Sequence, residues 1–230
     1  MHIADGFLPA RVCILGYAAT GGLAWYSLRR IAREANAQEC IPKTALLSAA
    51  FFAVSSLHIP IPPTSVHPIL NGLLGAVLGI YAFPAILVGL FFQAVMFHHG
   101  GMSVLGVNAL IMGIPAIVAA QVFQWRGLMR DRRGTTVFAF IAGALGVGLS
   151  TLLFYAIAVT NIPAEIDVMA ERSAIGMLTL SQLPLTIVEA CFTAMLVSFL
   201  QQVKPDLIEG VGVRWQGDYD RYGKSEMEIE

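Results

Sequence analysis

The chain has 230 residues, of which 57% are hydrophobic and only 13% are charged, and its formal net charge is −1. Soluble domains carry about a quarter charged residues, so this composition predicts an integral membrane protein surrounded by a lipid bilayer. The near-neutral charge gives no indication of a nucleic-acid partner. Three widely separated cysteines exclude a CxxC zinc or redox motif.

Apolar runs predict seven helices in one bundle. They lie near 10–28, 44–57, 69–83, 85–98, 105–125, 135–159 and 174–202. The stretch 69–98 fits either one long helix or two helices broken at Pro84, because proline removes an amide donor and restricts the residue before it. We expect residues 1–203 to form the membrane domain and residues 204–230 to form a polar cytoplasmic tail.

Basic residues decide between these two possibilities and orient the bundle. They form three groups: Arg29, Arg30, Arg33 and Lys43; Arg126, Arg130, Arg132 and Arg133; and Lys204. All three groups fall on one side only if 69–98 contains two helices, and basic residues favour the cytoplasmic side. The expected fold class is therefore an all-α integral membrane protein with seven transmembrane helices, the amino terminus outside and the carboxy terminus in the cytoplasm.

The amino terminus is expected to stay in place, since no basic residue precedes Arg11 and a signal peptide needs a basic start. In the predicted orientation all five histidines lie in three outer segments: His2, His58, His67, His98 and His99. From 44 to 125 there is no charged residue, which disfavours coupling to an ion gradient. Glu189 is the strongest buried acid, and we expect it to stabilise helix contacts through Gln182 or Asn108.

A histidine in second position makes the free amino terminus a candidate metal chelate. The amine of Met1, the amide nitrogen of His2 and the His2 imidazole form two fused rings in one plane, and a further imidazole completes four nitrogen donors. Such a plane suits Ni²⁺ or Cu²⁺, with Co²⁺ also possible, better than tetrahedral Zn²⁺. His67 is the predicted fourth donor. The alternative is that both histidines are only polar residues at the membrane interface.

Ligating imidazoles normally need a hydrogen-bond partner on their other nitrogen. Candidates for this supporting role are Ser65, Thr64 and Asn108, and His99 is a further supporting candidate. His98 is expected to lie at the interface, and Asp5 to form a turn with Gly6 or to brace the metal loop.

Four blocks of the sequence resemble the CbiM/NikM family, the substrate-capture (S) components of energy-coupling-factor (ECF) transporters for cobalt or nickel. The blocks are MHIADGFLP (1–9), TSVHP (64–68), FFQAVMFHHGGMSVLGVNAL (91–110) and LPLTIVEACFTAML (183–196). The resemblance implies a seven-helix metal-capture domain that binds Co²⁺ or Ni²⁺ as transported substrate, with no organic cofactor, through Met1, His2 and His67. It also implies a prokaryotic cell membrane, a transmembrane coupling (T) subunit, two cytoplasmic ABC-type ATPases and, in many cases, a small accessory membrane subunit.

Two other functions remain open from the residues alone. A self-sufficient metal channel or secondary transporter is disfavoured by the lack of intramembrane charge. An intramembrane metalloenzyme is disfavoured because the sequence has no HExxH motif and no Ser–His pair at membrane depth. The tail segment DYDRYGKSE imitates a phosphate-binding loop, but Asp218 occupies the place of its first glycine. We therefore expect a transporter subunit without an ATPase of its own.

Overall fold

The computed structural model describes residues 2–34, 37–57, 59–61, 64–129, 132–164 and 167–209. Most of this part of the chain is helical. Its elements are α1 (Ala10–Ile31), α2 (Ala37–Ser55), β1 (Ile59–Ile61), β2 (Thr64–Val66), α3 (Asn71–Leu78), α4 (Ala82–Phe97), α5 (Leu105–Gln124), α6 (Arg132–Thr160), α7 (Val168–Val203) and α8 (Asp206–Glu209). The two short strands pair antiparallel, with Ile59 opposite Val66, and short 3-10 turns follow α3 and α5.

Four helical stretches among the described residues are long and apolar enough to cross a membrane. They are Asn71–Phe97, Leu105–Leu128, Arg133–Thr160 and Val168–Val203. The last of these contains α7, whose 36 residues extend over about 54 Å at 1.5 Å per residue. That length exceeds the hydrocarbon thickness of a bilayer, which is about 30 Å.

The chain turns back within the first of these stretches, between α3 and α4. Beyond the end of α1, Glu34 accepts a hydrogen bond from the Tyr81 hydroxyl at 2.7 Å, immediately before α4. After α4, His99 contacts His2, which precedes α1, with ring centroids 4.3 Å apart. α4 therefore runs antiparallel to α1. We call the end of the bundle that carries residues 2–9, 64–70 and 98–104 the histidine end.

α3 runs in the opposite direction to α4, away from the histidine end and alongside α5. The Asn71 side chain donates to the carbonyl oxygen of Met112 at 3.0 Å. One turn further on, a Cβ added at Gly75 would lie 2.1 Å from the carbonyl oxygen of Ala116. Because α5 begins at the histidine end, these pairs place the start of α3 roughly 10 Å inside the bundle.

The break in this stretch lies at Gly79 rather than at Pro84, so the predicted position was wrong. Gly79 has φ +58 and ψ −125, a conformation that glycine adopts without a steric penalty. Pro84 is the third residue of α4, where the amide has no partner within the helix and proline is tolerated. Pro84 therefore lies in the first turn of α4, and the chain reverses direction at Gly79.

All eight residues of α3 are buried, because small residues let its backbone approach two neighbouring helices. A Cβ added at Gly72 would lie 2.5 Å from the carbonyl oxygen of Ala142, and one added at Gly146 would lie 2.4 Å from the amide nitrogen of Gly72. α3 is thus enclosed by α5 and α6. The irregular segment before it is buried as well, and it carries His67 towards the centre of the bundle.

Candidate metal centre

Three histidines from distant parts of the chain meet at the histidine end. His2, His67 and His99 each offer one ring nitrogen, and these atoms lie within 4.8 Å of one another. The rings of His2 and His67 are inclined by 31°, with centroids 4.9 Å apart. The ring of His99 is close to perpendicular to both, at 87° and 81°. The cluster therefore contains two imidazoles of similar orientation and a third that approaches them edge-on.

The imidazole of His2 is the least satisfied member of this cluster. Both its ring nitrogens are buried, and neither has a hydrogen-bond partner of good geometry among the described residues. Burial, reinforced by the neighbouring His67 and His99, lowers the pKa of His2 well below its ordinary value. His2 is therefore neutral, which is the form that ligates a metal.

The amino-terminal segment is held in place by α5 and by the loop before it. Asn108 accepts from the backbone amide of Ile3 at 2.9 Å and donates to the Ile3 carbonyl oxygen at 3.0 Å. Asp5 accepts from both the backbone amide and the hydroxyl of Ser103. A Cβ at Gly100 would lie 3.4 Å from the Cβ and Cδ2 atoms of His2. These contacts fix the backbone that follows His2 and enclose its side chain.

His67 is positioned by a carboxylate on α7. Glu189 accepts from the backbone amides of Ile69 at 2.6 Å and Leu70 at 2.7 Å. His67, Ile69, Leu70 and Glu189 are all at most 7% exposed. Irregular backbone at membrane depth must be hydrogen-bonded within the protein, and Glu189 supplies this for the segment that carries His67.

The structure assigns different roles to some of the predicted residues. Asn108 was expected to support an imidazole, but its amide is used by the backbone of Ile3. Glu189 contacts neither Asn108 nor Gln182 in the hydrogen bonds described, because its carboxylate faces the start of α3. His99 lies inside the histidine cluster rather than only beside it.

Other predicted residues lie elsewhere or outside the described residues. Met1 and His58 are outside the described residues, and Ser65 and Thr64 lie in β2. His98 is exposed and takes the left-handed conformation at the end of α4, with φ +54, so that the chain turns and His99 points inward. The backbone conformation of His98 therefore helps to place His99 in the cluster, and the His98 side chain is not part of it.

Sequence reasoning missed Gln93, which lies next to His2. Gln93 is 0% exposed, and its side chain is a hydrogen-bonding neighbour of the His2 imidazole. Its backbone carbonyl oxygen also accepts from the amide of His99 at 3.2 Å. The available signal was a lone amide in an otherwise apolar helix, FFQAVMF.

A cavity of about 560 Å³ adjoins the amino-terminal segment. It lies between that segment, the end of α6 and the beginning of α7, and His2, Phe7, Phe154 and Ile175 are among its lining residues. Glu171 is the acidic side chain in this lining. Six waters occupy about 180 Å³ in the liquid, so the space is sufficient for a hydrated divalent cation.

The chain is similar to several known proteins whose names describe metal transport. The chain is 32% identical over 219 residues to a putative cobalt transport protein CbiM of Methanocaldococcus jannaschii, covering 93% of this chain and 92% of that protein. It is 32% identical to the fused nickel transport protein NikMN of Rhodobacter capsulatus, covering 90% of this chain and 64% of that protein. A crystal structure of a transition metal transporter shares the fold, with a TM-score of 0.68 and 23% identity over 88% of this chain and 93% of that one.

A family model matches most of the chain. The model describes the cobalt uptake substrate-specific transmembrane region and matches residues 2–207. The match therefore includes all three clustered histidines, together with Gln93 and Glu189. The chain therefore belongs to the CbiM family of membrane components of metal transport.

Proposed function

We propose that this chain captures Co²⁺ or Ni²⁺ at the outer face of a prokaryotic cell membrane and delivers it for ATP-driven uptake. The ligands in this proposal are the amine of Met1, the amide nitrogen and imidazole of His2, and the imidazole of His67. The observation that carries it is the meeting of His2 and His67, 65 positions apart in sequence, with their rings only moderately inclined. His99 approaches this plane from the side and supports it.

The membrane arrangement belongs to the same proposal. The chain makes seven transmembrane passes in this proposal, and α3 with the buried irregular segment before it forms the third. Residues 1–203 form the metal-capture domain, and residues 204–230 form a cytoplasmic tail. The histidine end then faces outwards, since the three groups of basic residues lie near the opposite end, whereas Arg11 and Arg172 are the basic residues near the histidine end in the described part of the chain. The reversal at Gly79 supports this count, because α3 and α4 run in opposite directions within one apolar stretch.

The chain works in this proposal as the S component of an ECF-type transporter. A transmembrane coupling subunit and two cytoplasmic ABC-type ATPases supply the energy, with or without a small accessory membrane subunit. ATP hydrolysis reorients the captured metal towards the cytoplasm. Membership of a metal-transport family and the lack of a Walker motif in the sequence support this division of labour.

Metal binding to the purified chain tests the site. Wild-type protein and a variant extended by two residues before Met1 are titrated with Ni²⁺ and Co²⁺ against a chromophoric chelator. The extension is expected to abolish tight binding, and His67→Ala is expected to do the same. His98→Ala is the matched control, because that histidine is exposed and outside the cluster. Unchanged affinity in the extended variant would refute the proposed ligand set.

Reconstitution tests the division of labour. Proteoliposomes that contain only this chain are expected to bind metal without sustained uptake, and uptake is expected when the coupling subunit and ATPases are added with ATP. Steady metal flux through the chain alone would favour a self-sufficient channel or secondary transporter.

A further inference from the structure

Two buried side chains at the centre share an unusual deficit of hydrogen bonds. Nδ1 and Nε2 of His2 and Oε1 of Gln93 are all buried and lack a partner of good geometry among the residues described. Buried polar atoms without partners are rare because they have lost their hydration and gained nothing in exchange. The side chains of Gln93 and His2 are nevertheless neighbours within hydrogen-bonding range. Such a group of atoms is expected where something else completes the site.

The amide of Gln93 is held so that its oxygen faces His2. Its Nε2 donates to the hydroxyl oxygen of Ser55 and to the carbonyl oxygen of Phe52, both on α2. The hydroxyl proton of Ser55 is used by the carbonyl oxygen of Phe51. Ser55 can therefore only accept from Gln93, and a flipped amide would set two acceptors against each other. Its hydrogen bonds to α2 thus determine the direction of Oε1.

Chelate geometry determines which nitrogen of His2 remains for Gln93. In the proposed centre the metal closes a six-membered ring from the His2 amide nitrogen through Cα, Cβ and Cγ to Nδ1. Nε2 cannot close a ring of this size, so it carries the proton. Metal-bound imidazoles almost always donate this second N–H to an oxygen acceptor.

We propose that Oε1 of Gln93 accepts the Nε2–H of metal-bound His2 and thereby holds the imidazole in the plane of the chelate. This inference rests on the proposed function and adds a positioning residue on α4. The metal satisfies Nδ1 and Gln93 satisfies Nε2, which accounts for all three unpartnered atoms. A ring held in plane favours square-planar Ni²⁺ over tetrahedral Zn²⁺, so Gln93 also contributes to metal selectivity.

Three variants of the full chain test the role of Gln93. Gln93→Leu removes the acceptor at similar volume and is expected to weaken Ni²⁺ binding roughly 10- to 100-fold, the usual effect of losing such a partner. Zn²⁺ binding is expected to fall less, so the ratio of the two affinities decreases. Gln93→Glu keeps an acceptor towards His2 but loses the donor that contacts α2, and it is expected to bind Ni²⁺ more tightly than Gln93→Leu. Gln182→Leu is the matched control, a buried glutamine on α7 whose Oε1 also lacks a partner among the described residues.

The absorption spectrum of the Ni²⁺ complex supplies a readout that a purely structural role would not change. The d–d band of Gln93→Leu is expected to shift as the imidazole leaves the plane, and that of Gln93→Glu to stay near the wild-type position. If Gln93→Leu does not fold, Ser55→Ala replaces it, because this change releases the amide without removing the acceptor and is expected to lower the Ni²⁺ to Zn²⁺ affinity ratio.

Wild-type affinity and spectrum in Gln93→Leu, or a Gln93→Glu variant as weak as Gln93→Leu, would overturn the inference. With Ser55→Ala in its place, an unchanged Ni²⁺ to Zn²⁺ ratio would do the same. Failure of the proposed function is a different result: wild-type protein would then not bind Ni²⁺, or would bind it equally well after His67→Ala.

Discussion

Replacing Glu189 with alanine removes the acceptor for two buried backbone amides, those of Ile69 and Leu70. A buried N–H left without a partner costs about 1–3 kcal/mol, so the two together cost about 2–6 kcal/mol. Glu189→Gln keeps one acceptor oxygen and places an amide group against the second N–H, which halves the cost to about 1–3 kcal/mol. The penalty falls on the segment that carries His67, since the affected amides lie two and three residues beyond it.

Without the hydrogen bonds from Glu189, the backbone at residues 67–70 is expected to relax and to move His67 out of the cluster. The lost hydrogen bonds therefore reduce the metal affinity as well as the free energy of unfolding. A loss of about 1–3 kcal/mol corresponds to roughly 5- to 150-fold in dissociation constant. We therefore expect Glu189→Gln to bind Ni²⁺ within that range below wild type, and Glu189→Ala to bind more weakly still.

The assay is chelator competition on the purified chain, with thermal unfolding measured in the same detergent. Gln182→Leu serves as the control, because Gln182 is also buried on α7 but has no described hydrogen bond to residues 67–70. Both Glu189 variants are expected to unfold at a lower temperature than this control. The reasoning is refuted if Glu189→Ala retains the wild-type affinity and unfolding temperature.

Four further variants test the centre. His67→Ala is expected to abolish tight Ni²⁺ binding. His99→Ala is expected to weaken it roughly 10- to 100-fold, the usual effect of losing a group that supports a ligand. Equal losses of affinity in titrations of the two variants would instead indicate that both imidazoles are direct ligands. Gly100 has a positive φ of +83, and a Cβ there would lie 2.9 Å from the side-chain nitrogen of Asn108. Gly100→Ala is therefore expected to lower the free energy of unfolding by about 1–2 kcal/mol from the backbone conformation alone. An unchanged unfolding temperature would contradict this. If metal enters through the cavity, the carboxylate of Glu171 in its lining attracts the cation. Glu171→Gln is then expected to slow metal association in stopped-flow measurements at low salt and to leave the dissociation rate unchanged. An unaltered association rate would argue against this cavity as the entry route.

Composition and charge pattern were sufficient to predict a helical membrane protein, because burial in lipid imposes its demands on every residue of a span. A metal-binding role for His2 could also be proposed from the sequence, since the predicted chelate rings involve only neighbouring atoms of the chain. His67 was identified from its position in the loop and from the resemblance to a known family. The membrane prediction used the hydrophobicity averaged over many residues, and the His2 prediction used only the chemistry of adjacent residues.

Only the tertiary structure decided which distant side chains meet. His99, Gln93 and Glu189 reach the centre through contacts that cross from α4 and α7, and local sequence does not encode such distances. The sequence pointed to Pro84 as the break, whereas the structure has it at Gly79, and its position depends on how α3 packs against α5. The sequence by itself therefore determined the membrane character of the chain and led to the hypothesis of an amino-terminal chelate, whereas the surroundings that orient the histidines depend on long-range packing.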